Sequence, residues 1–295
     1  MPAMSQQQTY RIIRAEDQTS AWRFFSPLAL AARLWASRDL ITQLARREVQ
    51  SRYRGSYLGT MWALITPLLT LGVFTLVFGT MNGARWPGSD HPGILDFATH
   101  MFVGIVLYGV FSECAARAPM LIAGNPNYVK KTVFPLEILP VSVLGAAATH
   151  SLLGMVAALA CVFVDRGALP WTVLLLPVVY LPILLLSLAA MWFLSAVGVF
   201  LRDVASLIGV VVQLLFFLTP IAYPLAVFKG SPRVQQLVRH TNPLAPIMEN
   251  ARSIVVDGQP PQWLEMAVVT LVSAALALAA YALFMKLKRT FADAI

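Results

Sequence analysis

Six stretches of the chain are apolar over about 20 residues or more, near 61–81, 98–118, 138–164, 172–200, 204–224 and 264–285. A helix rises about 1.5 Å per residue and the hydrocarbon layer of a bilayer is about 30 Å thick, so the pattern predicts six transmembrane helices. The third and fourth stretches are long enough to tilt or kink. Pro177 and Pro182 should each bend the fourth, because proline removes a backbone hydrogen bond. The fifth runs into Thr219-Pro220-Ile221-Ala222-Tyr223-Pro224, where two close prolines should break the helix near the far face.

Three polar stretches have an order of their own. Residues 33–54 are rich in helix formers and hold no Gly or Pro, with Leu34, Ile41, Ala45 and Val49 on one face. Six arginines there against Asp39 and Glu48 leave an excess of positive charge, which suits a surface of anionic headgroups. Guanidinium groups bind phosphate in pairs of hydrogen bonds, so the same excess could attract a lipid pyrophosphate. An ordinary solvated basic helix is the alternative. The second stretch is Asn125 to Pro135. Asn125 can cap a helix, Pro126 suits its first position and Pro135 should stop it, giving about two turns. Tyr128, Val129, Val133 and Phe134 would be free to dock against a partner, or the segment is a plain connector. The third stretch, 225–263, repeats the cap-and-proline start at Asn242-Pro243, and Gly258 marks a helix end. A helix fed by a broken span suggests a re-entrant gate built from Pro220, Tyr223, Pro224, Asn242 and Pro243, or a helix lying on the membrane.

Charge orients the chain. With the N-terminus inside, sixteen Lys and Arg fall in inner segments and six in outer ones, four of these in one long loop. The rule that cytoplasmic flanks are positive places both termini in the cytoplasm. Residues 1–30 have no early apolar core, so the first span is expected to act as an uncleaved anchor.

Composition narrows the class. The chain has 295 residues, 58% of them hydrophobic and only 12% charged, with a mean hydropathy of +0.70. Soluble proteins carry about 25% charged residues, so a water-soluble body is excluded. Cys114 and Cys161 lie in apolar runs and read as packing residues, and the four histidines show no ligand spacing. There is no phosphate loop of the G-x-x-x-x-G-K-[ST] type and no catalytic or metal motif. The spans hold only Glu113, Arg117 and Glu265 as charged groups. Glu113 and Arg117 stand four residues apart and can pair on one helix face, which leaves little for an ion relay. A transporter built this way needs an energy source on another chain. Phe74, Phe78, Tyr108, Phe111, Phe216 and Phe217 offer faces that sugar C–H groups meet well, although helix packing is the better account of any one ring.

The run Arg46 to Trp62, RREVQSRYRGSYLGTMW, resembles the start of the ATP-binding-cassette polysaccharide export permeases. The loop Asn125 to Pro140 is similar to their cytoplasmic coupling segment, and most similar to that of the O-antigen permeases. Arg202-Asp203, Thr219-Pro220-Ile221 and Asn242-Pro243-Leu244 follow in the same order, so the resemblance covers about residues 33–290.

That resemblance implies an all-α polytopic protein of the bacterial inner membrane. Its parts would be an extension at 1–32, an amphipathic interface helix within 33–60, a six-helix membrane domain at 61–285 and a cytoplasmic tail at 286–295. It implies a homodimer with two copies of an ATPase subunit, which would bind the ATP and Mg; this chain would hold no cofactor and act on no nucleic acid. The cargo would be a polysaccharide on undecaprenyl pyrophosphate, met first at Arg46, Arg47, Arg52 and Arg54 and carried through a channel at the dimer interface, with some of those six rings as candidates to line it. Asn125, Pro126, Asn127, Tyr128, Val129, Lys130, Lys131 and Phe134 would form the coupling helix. Capsule or teichoic-acid permeases are the alternatives within the family. A membrane enzyme of lipid-linked sugars or an ion-driven carrier are alternatives outside it.

Overall fold

The computed structural model describes residues 26–53, 57–82, 86–87, 93–130, 134–225 and 230–294. Among these the chain is helical, with no strand. Four helical stretches are long and apolar enough to cross a membrane: Ile94–Leu121, Ile138–Arg166, Trp171–Gly198 and Trp263–Thr290. At 28 or 29 residues each, they are about 42 Å long, enough to cross with some tilt.

Helix α3, Trp62–Asn82, runs for 21 residues, while α8, Val204–Leu218, has only 15. The apolar run continues to 224, and the break expected at its two prolines ends α8 at Leu218. It stops because Thr219 takes an extended backbone ahead of Pro220, as the residue before a proline must. The N-terminal helix differs from expectation. It begins earlier, at Pro27 behind a Ser26 cap, and is two helices, α1 (Pro27–Ala36) and α2 (Arg38–Tyr53). Ser37 breaks it, its N–H shared between the Arg33 and Leu34 carbonyls.

The core is built from α4 (Ile94–Leu121), α6 (Ile138–Arg166), α7 (Leu176–Gly198) and α11 (Trp263–Leu287). Helix α7 packs along α11 and α4, and α4 packs in turn on α6. Trp192 of α7 is fully buried, with Tyr281 of α11 at 5.0 Å and its Nε1 donating to the Glu137 carbonyl at 3.2 Å. Pro177 does not bend α7; it stands in its first turn, after a 3-10 turn at Trp171–Leu175. Helices α3 and α8 both lie against α4, and no residue of α8 is buried.

The two ends of the bundle differ. The proximal end holds α2, the end of α4, the short α5 (Pro126–Val129), the start of α6 and α12 (Phe291–Ala294). There the backbones of α4 and α7 nearly touch: a methyl group at Gly198 would stand 2.2 Å from the Pro119 carbonyl oxygen. The distal end holds α9 (Pro232–Thr241), α10 (Leu244–Arg252) and a π turn at Ser253–Asp257.

Candidate functional site

Two Glu-x-x-x-Arg repeats meet at the proximal end. Glu48 and Arg52 lie one turn apart on α2, and Glu113 and Arg117 one turn apart on α4. The helices cross so that each glutamate meets the other helix's arginine. Arg52 Nη2 donates to Glu113 Oε1 at 2.5 Å, and Arg117 Nη2 donates to Glu48 Oε2. The pairing expected within α4 is also present, Arg117 Nη1 to Glu113 Oε1 at 3.4 Å. His150 of α6 lies beneath, its Nδ1 at 2.8 Å from Arg52 Nη1 and 3.8 Å from Glu113 Oε2. Backbone fit allows the approach: a methyl group at Gly145 of α6 would stand 3.3 Å from the Ala45 Cβ.

This crossing separates the four arginines proposed to meet a lipid pyrophosphate. Arg52 is engaged with Glu113 and His150. Arg46 and Arg47 are exposed on α2, and Arg54 lies outside the described residues.

Below the crossing, α4 runs straight into the turn expected to couple to a partner. Asn125 caps α5 by position, but its Nδ2 donates back to the Leu121 carbonyl at 2.9 Å, which fastens the turn to α4. The Asn-Pro start holds, while the helix has one turn, closed by Lys130 N donating to the Pro126 carbonyl at 3.0 Å. Lys131 lies outside the described residues. The Tyr128 and Phe134 rings stack at 4.4 Å, and with Val129 they are half-buried against the core. Asn127 and Lys130 are exposed and Pro126 is half-buried. The return to α6 is clamped by Lys288 Nζ on Glu137 Oε2 at 2.6 Å.

At the distal end, one buried arginine gathers the proposed gate residues. Arg252 of α10 donates from Nη2 to the Ile221 carbonyl at 2.5 Å and from Nε to the His100 carbonyl at 2.9 Å. Its guanidinium lies over the Trp86 ring at 4.7 Å, and the His100 imidazole stacks on the same ring at 4.8 Å. Burial pulls the Arg252 guanidinium down to about 10, which still leaves it charged at neutral pH. Gly104 of α4 makes room, since a methyl group there would meet Arg252 Nη2 at 2.8 Å. Asn242 Nδ2 donates to Thr219 Oγ1 at 2.8 Å and its Oδ1 accepts from Leu244 N at 3.0 Å, so Pro220 and Pro243 are fixed at one corner. Tyr223 OH donates to the Phe217 carbonyl at 3.0 Å, and Pro224 is buried beside it. Helix α10 is buried over most of its length and is no surface helix. His100 itself is enclosed, with Nδ1 on the Asp96 carbonyl at 2.8 Å and Nε2 on Asp257 Oδ1 at 2.9 Å, and Arg166 pairs with Asp96 at 2.9 Å.

The six candidate channel rings divide. Tyr108 is buried between α4 and α8, donating to the Val212 carbonyl, with Phe216 at 5.6 Å and Phe111 at 6.3 Å. Phe74 is half-buried on α3, and Phe217 faces outward from α8. The Phe78 side chain lies outside the described set. Among the described residues no group of three His, Cys, Asp or Glu side chains is placed to hold a metal ion.

Residues 39–256 match the model of the ABC-2 type transporter family. The chain is 28% identical over 268 residues to the O-antigen export system permease protein RfbA of Myxococcus xanthus, covering 91% of this chain and all of that protein. Two Klebsiella pneumoniae proteins of the same name are 23% and 22% identical over 257 residues, covering 86% of this chain and 94% of theirs.

Proposed function

This chain belongs to the ABC-2 type transporter family, and from that premise we propose that it is the membrane-spanning subunit of an O-antigen exporter powered by a separate ATP-binding-cassette ATPase. The names of its full-length relatives support the cargo. The observation that carries the reading is a face of α3 and α8 that sets aromatic rings beside an outward serine and glutamine. Trp62, Thr66, Thr70 and Phe74 recur at four-residue steps on α3 and, with Leu69 and Val73, line a mostly apolar groove of about 350 Å³. Ser206, Gln213 and Phe217 face outward from α8. The Thr70 hydroxyl is satisfied by the Thr66 carbonyl, but an outward amide such as that of Gln213 is costly in hydrocarbon and gains nothing on a face that meets only lipid. A hydrated polysaccharide passing between two copies of the chain would use both the hydroxyls and the rings.

In this reading the proximal end is cytoplasmic, in line with the excess of Lys and Arg there. The Tyr128–Phe134 stack seats in each ATPase subunit of a two-plus-two complex, and the exposed Arg46 and Arg47 receive the undecaprenyl pyrophosphate of the cargo. Arg52 holds α2 in place instead. The distal corner around Arg252 forms the outer gate.

The test is reconstitution of the chain with its ATPase in nanodiscs. The expected result is a stable complex whose ATP hydrolysis rises with lipid-linked polysaccharide. Tyr128→Asp should lose that stimulation, because a carboxylate replaces an apolar contact. Thr70→Trp should keep the complex but block transport. A chain that binds no ATPase, or transport unchanged in both variants, would overturn the proposal.

A further inference from the structure

The distal surface carries a cavity of about 710 Å³ between α9 and the start of α11, apart from the crossing and the coupling turn and bordering the gate corner at Pro243. Its size falls within the range of small-molecule sites, about 300–1,000 Å³. The two walls differ in chemistry. Gln236 and Arg239 of α9 and Glu265 of α11 make a polar wall, and Leu264, Val268 and Val272 of α11 make an apolar one. Leu264 is 81% exposed and Val272 46%, on a helix that is one of the four spanning the membrane. The apolar wall therefore faces hydrocarbon over the first two to three turns of α11, about 15 Å. Trp263 stands at the mouth, where aromatic rings meet the headgroup level. Helix α9 is amphipathic with an exposed Leu237, the character of a helix lying in the interface plane.

The polar wall is fixed in advance. Arg239 donates from Nε to Glu265 Oε1 at 2.5 Å, and from Nη2 to Glu265 Oε2 at 2.9 Å and to Gln262 Oε1 at 2.6 Å. Asn250 Nδ2 holds the same carboxylate at 3.0 Å. This geometry uses Nε and Nη2 and leaves Nη1 with no acceptor among the described residues. A guanidinium held rigidly with one free edge is suited to a phosphate oxygen, because little side-chain freedom remains to be lost. A saccharide would need polar groups on both walls, and one wall here is bare valine and leucine.

We propose that this cavity binds a phospholipid of the distal leaflet, with its phosphodiester on Arg239 Nη1 and an acyl chain along Leu264, Val268 and Val272. The site does not depend on the export reading.

Native mass spectrometry of the purified full chain tests it, with dioleoyl phosphatidylethanolamine titrated against dioleoylglycerol, which has the same chains and no phosphate. The expected result is one phosphatidylethanolamine retained per chain, with dioleoylglycerol roughly tenfold weaker, the loss of about one charge-assisted hydrogen bond. Arg239→Gln should abolish the preference. Because that variant also removes the pair to Glu265 and can loosen α9, Val268→Trp is the second variant. It fills the apolar groove, leaves the pair intact and should lower phosphatidylethanolamine occupancy roughly tenfold. Equal retention of the two lipids, unchanged occupancy in Val268→Trp, or preferential retention of a soluble oligosaccharide would each overturn the proposal.

Discussion

Replacing Arg52 by Gln removes the charge that Glu113 meets at 2.5 Å and leaves that carboxylate to Arg117 at 3.4 Å. The cost can be bracketed from the exposure of the two side chains, 40% for Arg52 and 17% for Glu113. A fully exposed pair contributes about 0–1 kcal/mol, and a hydrogen bond to a charged group in a sheltered site about 1.5–3 kcal/mol. The pair lies between these, so its coupling should be about 1–2 kcal/mol, a factor of roughly 5–30 in the equilibrium between docked and undocked α2. Cross-linking reads that equilibrium. Ala45→Cys with Gly145→Cys places two Cβ atoms 3.3 Å apart, within a few tenths of an ångström of disulfide geometry. The background would carry Cys114→Ala and Cys161→Ala to remove the native thiols. Under mild oxidation Arg52→Gln and Glu113→Gln should each slow cross-linking, and the double variant should be no slower than the worse single one. The exchange Arg52→Glu with Glu113→Arg should restore part of the rate. Strict additivity of the single effects, with no recovery on exchange, would refute the crossing as the tie between α2 and α4.

Two further outcomes follow from packing. Gly198→Ala should lower the thermal unfolding midpoint in detergent by an overpacking cost of at least about 1–3 kcal/mol, because the new methyl group meets the Pro119 carbonyl at 2.2 Å; Gly209→Ala, with open space around it, should leave the midpoint unchanged. Arg252→Met should unpair the buried Ile221 carbonyl at about 1–3 kcal/mol and remove the second bond to the helical His100 carbonyl, and limited proteolysis should then cut at the corner around 219–225. Arg252→Lys should not rescue it, since an ammonium cannot span both carbonyls and the Trp86 face.

Local signals were read well and distant ones were not. Apolar runs placed every long helix, and Asn-Pro pairs placed the starts of α5 and α10, because these patterns act within one or two turns. The break at Ser37 carried no Gly or Pro to announce it. The end of α8 is legible, since Thr219 precedes the first of the two prolines expected to break the helix. The crossing joins residues 61 and 69 positions apart. Only the recurrence of Glu-x-x-x-Arg on two neighbouring elements could have suggested it. Arg252 looked like a dilute loop charge and is instead the buried centre of the distal corner. Nothing local distinguishes the two, because its partners are a carbonyl from α4, a carbonyl after α8 and a ring before α4.

These contacts place α4 at the centre of the molecule's mechanics. His100 and Gly104 near its start meet Arg252, Tyr108 meets α8, Glu113 and Arg117 meet α2, and its end continues into α5. Close-packed helices shift as bodies and transmit strain, so a push at α5 is carried along α4. Pro119 is the exception within that rod: it lacks the N–H that would bond the Ala115 carbonyl, and a helix bends most easily there. It is also the point where Gly198 brings the α7 backbone against α4. The weakest turn of α4 is thus braced by α7, whose own length lies along α11. In the proposed export reading, motion at α5 engages α4 and α7 together, and the residues that hold this brace should matter to coupling as much as those that would touch the ATPase.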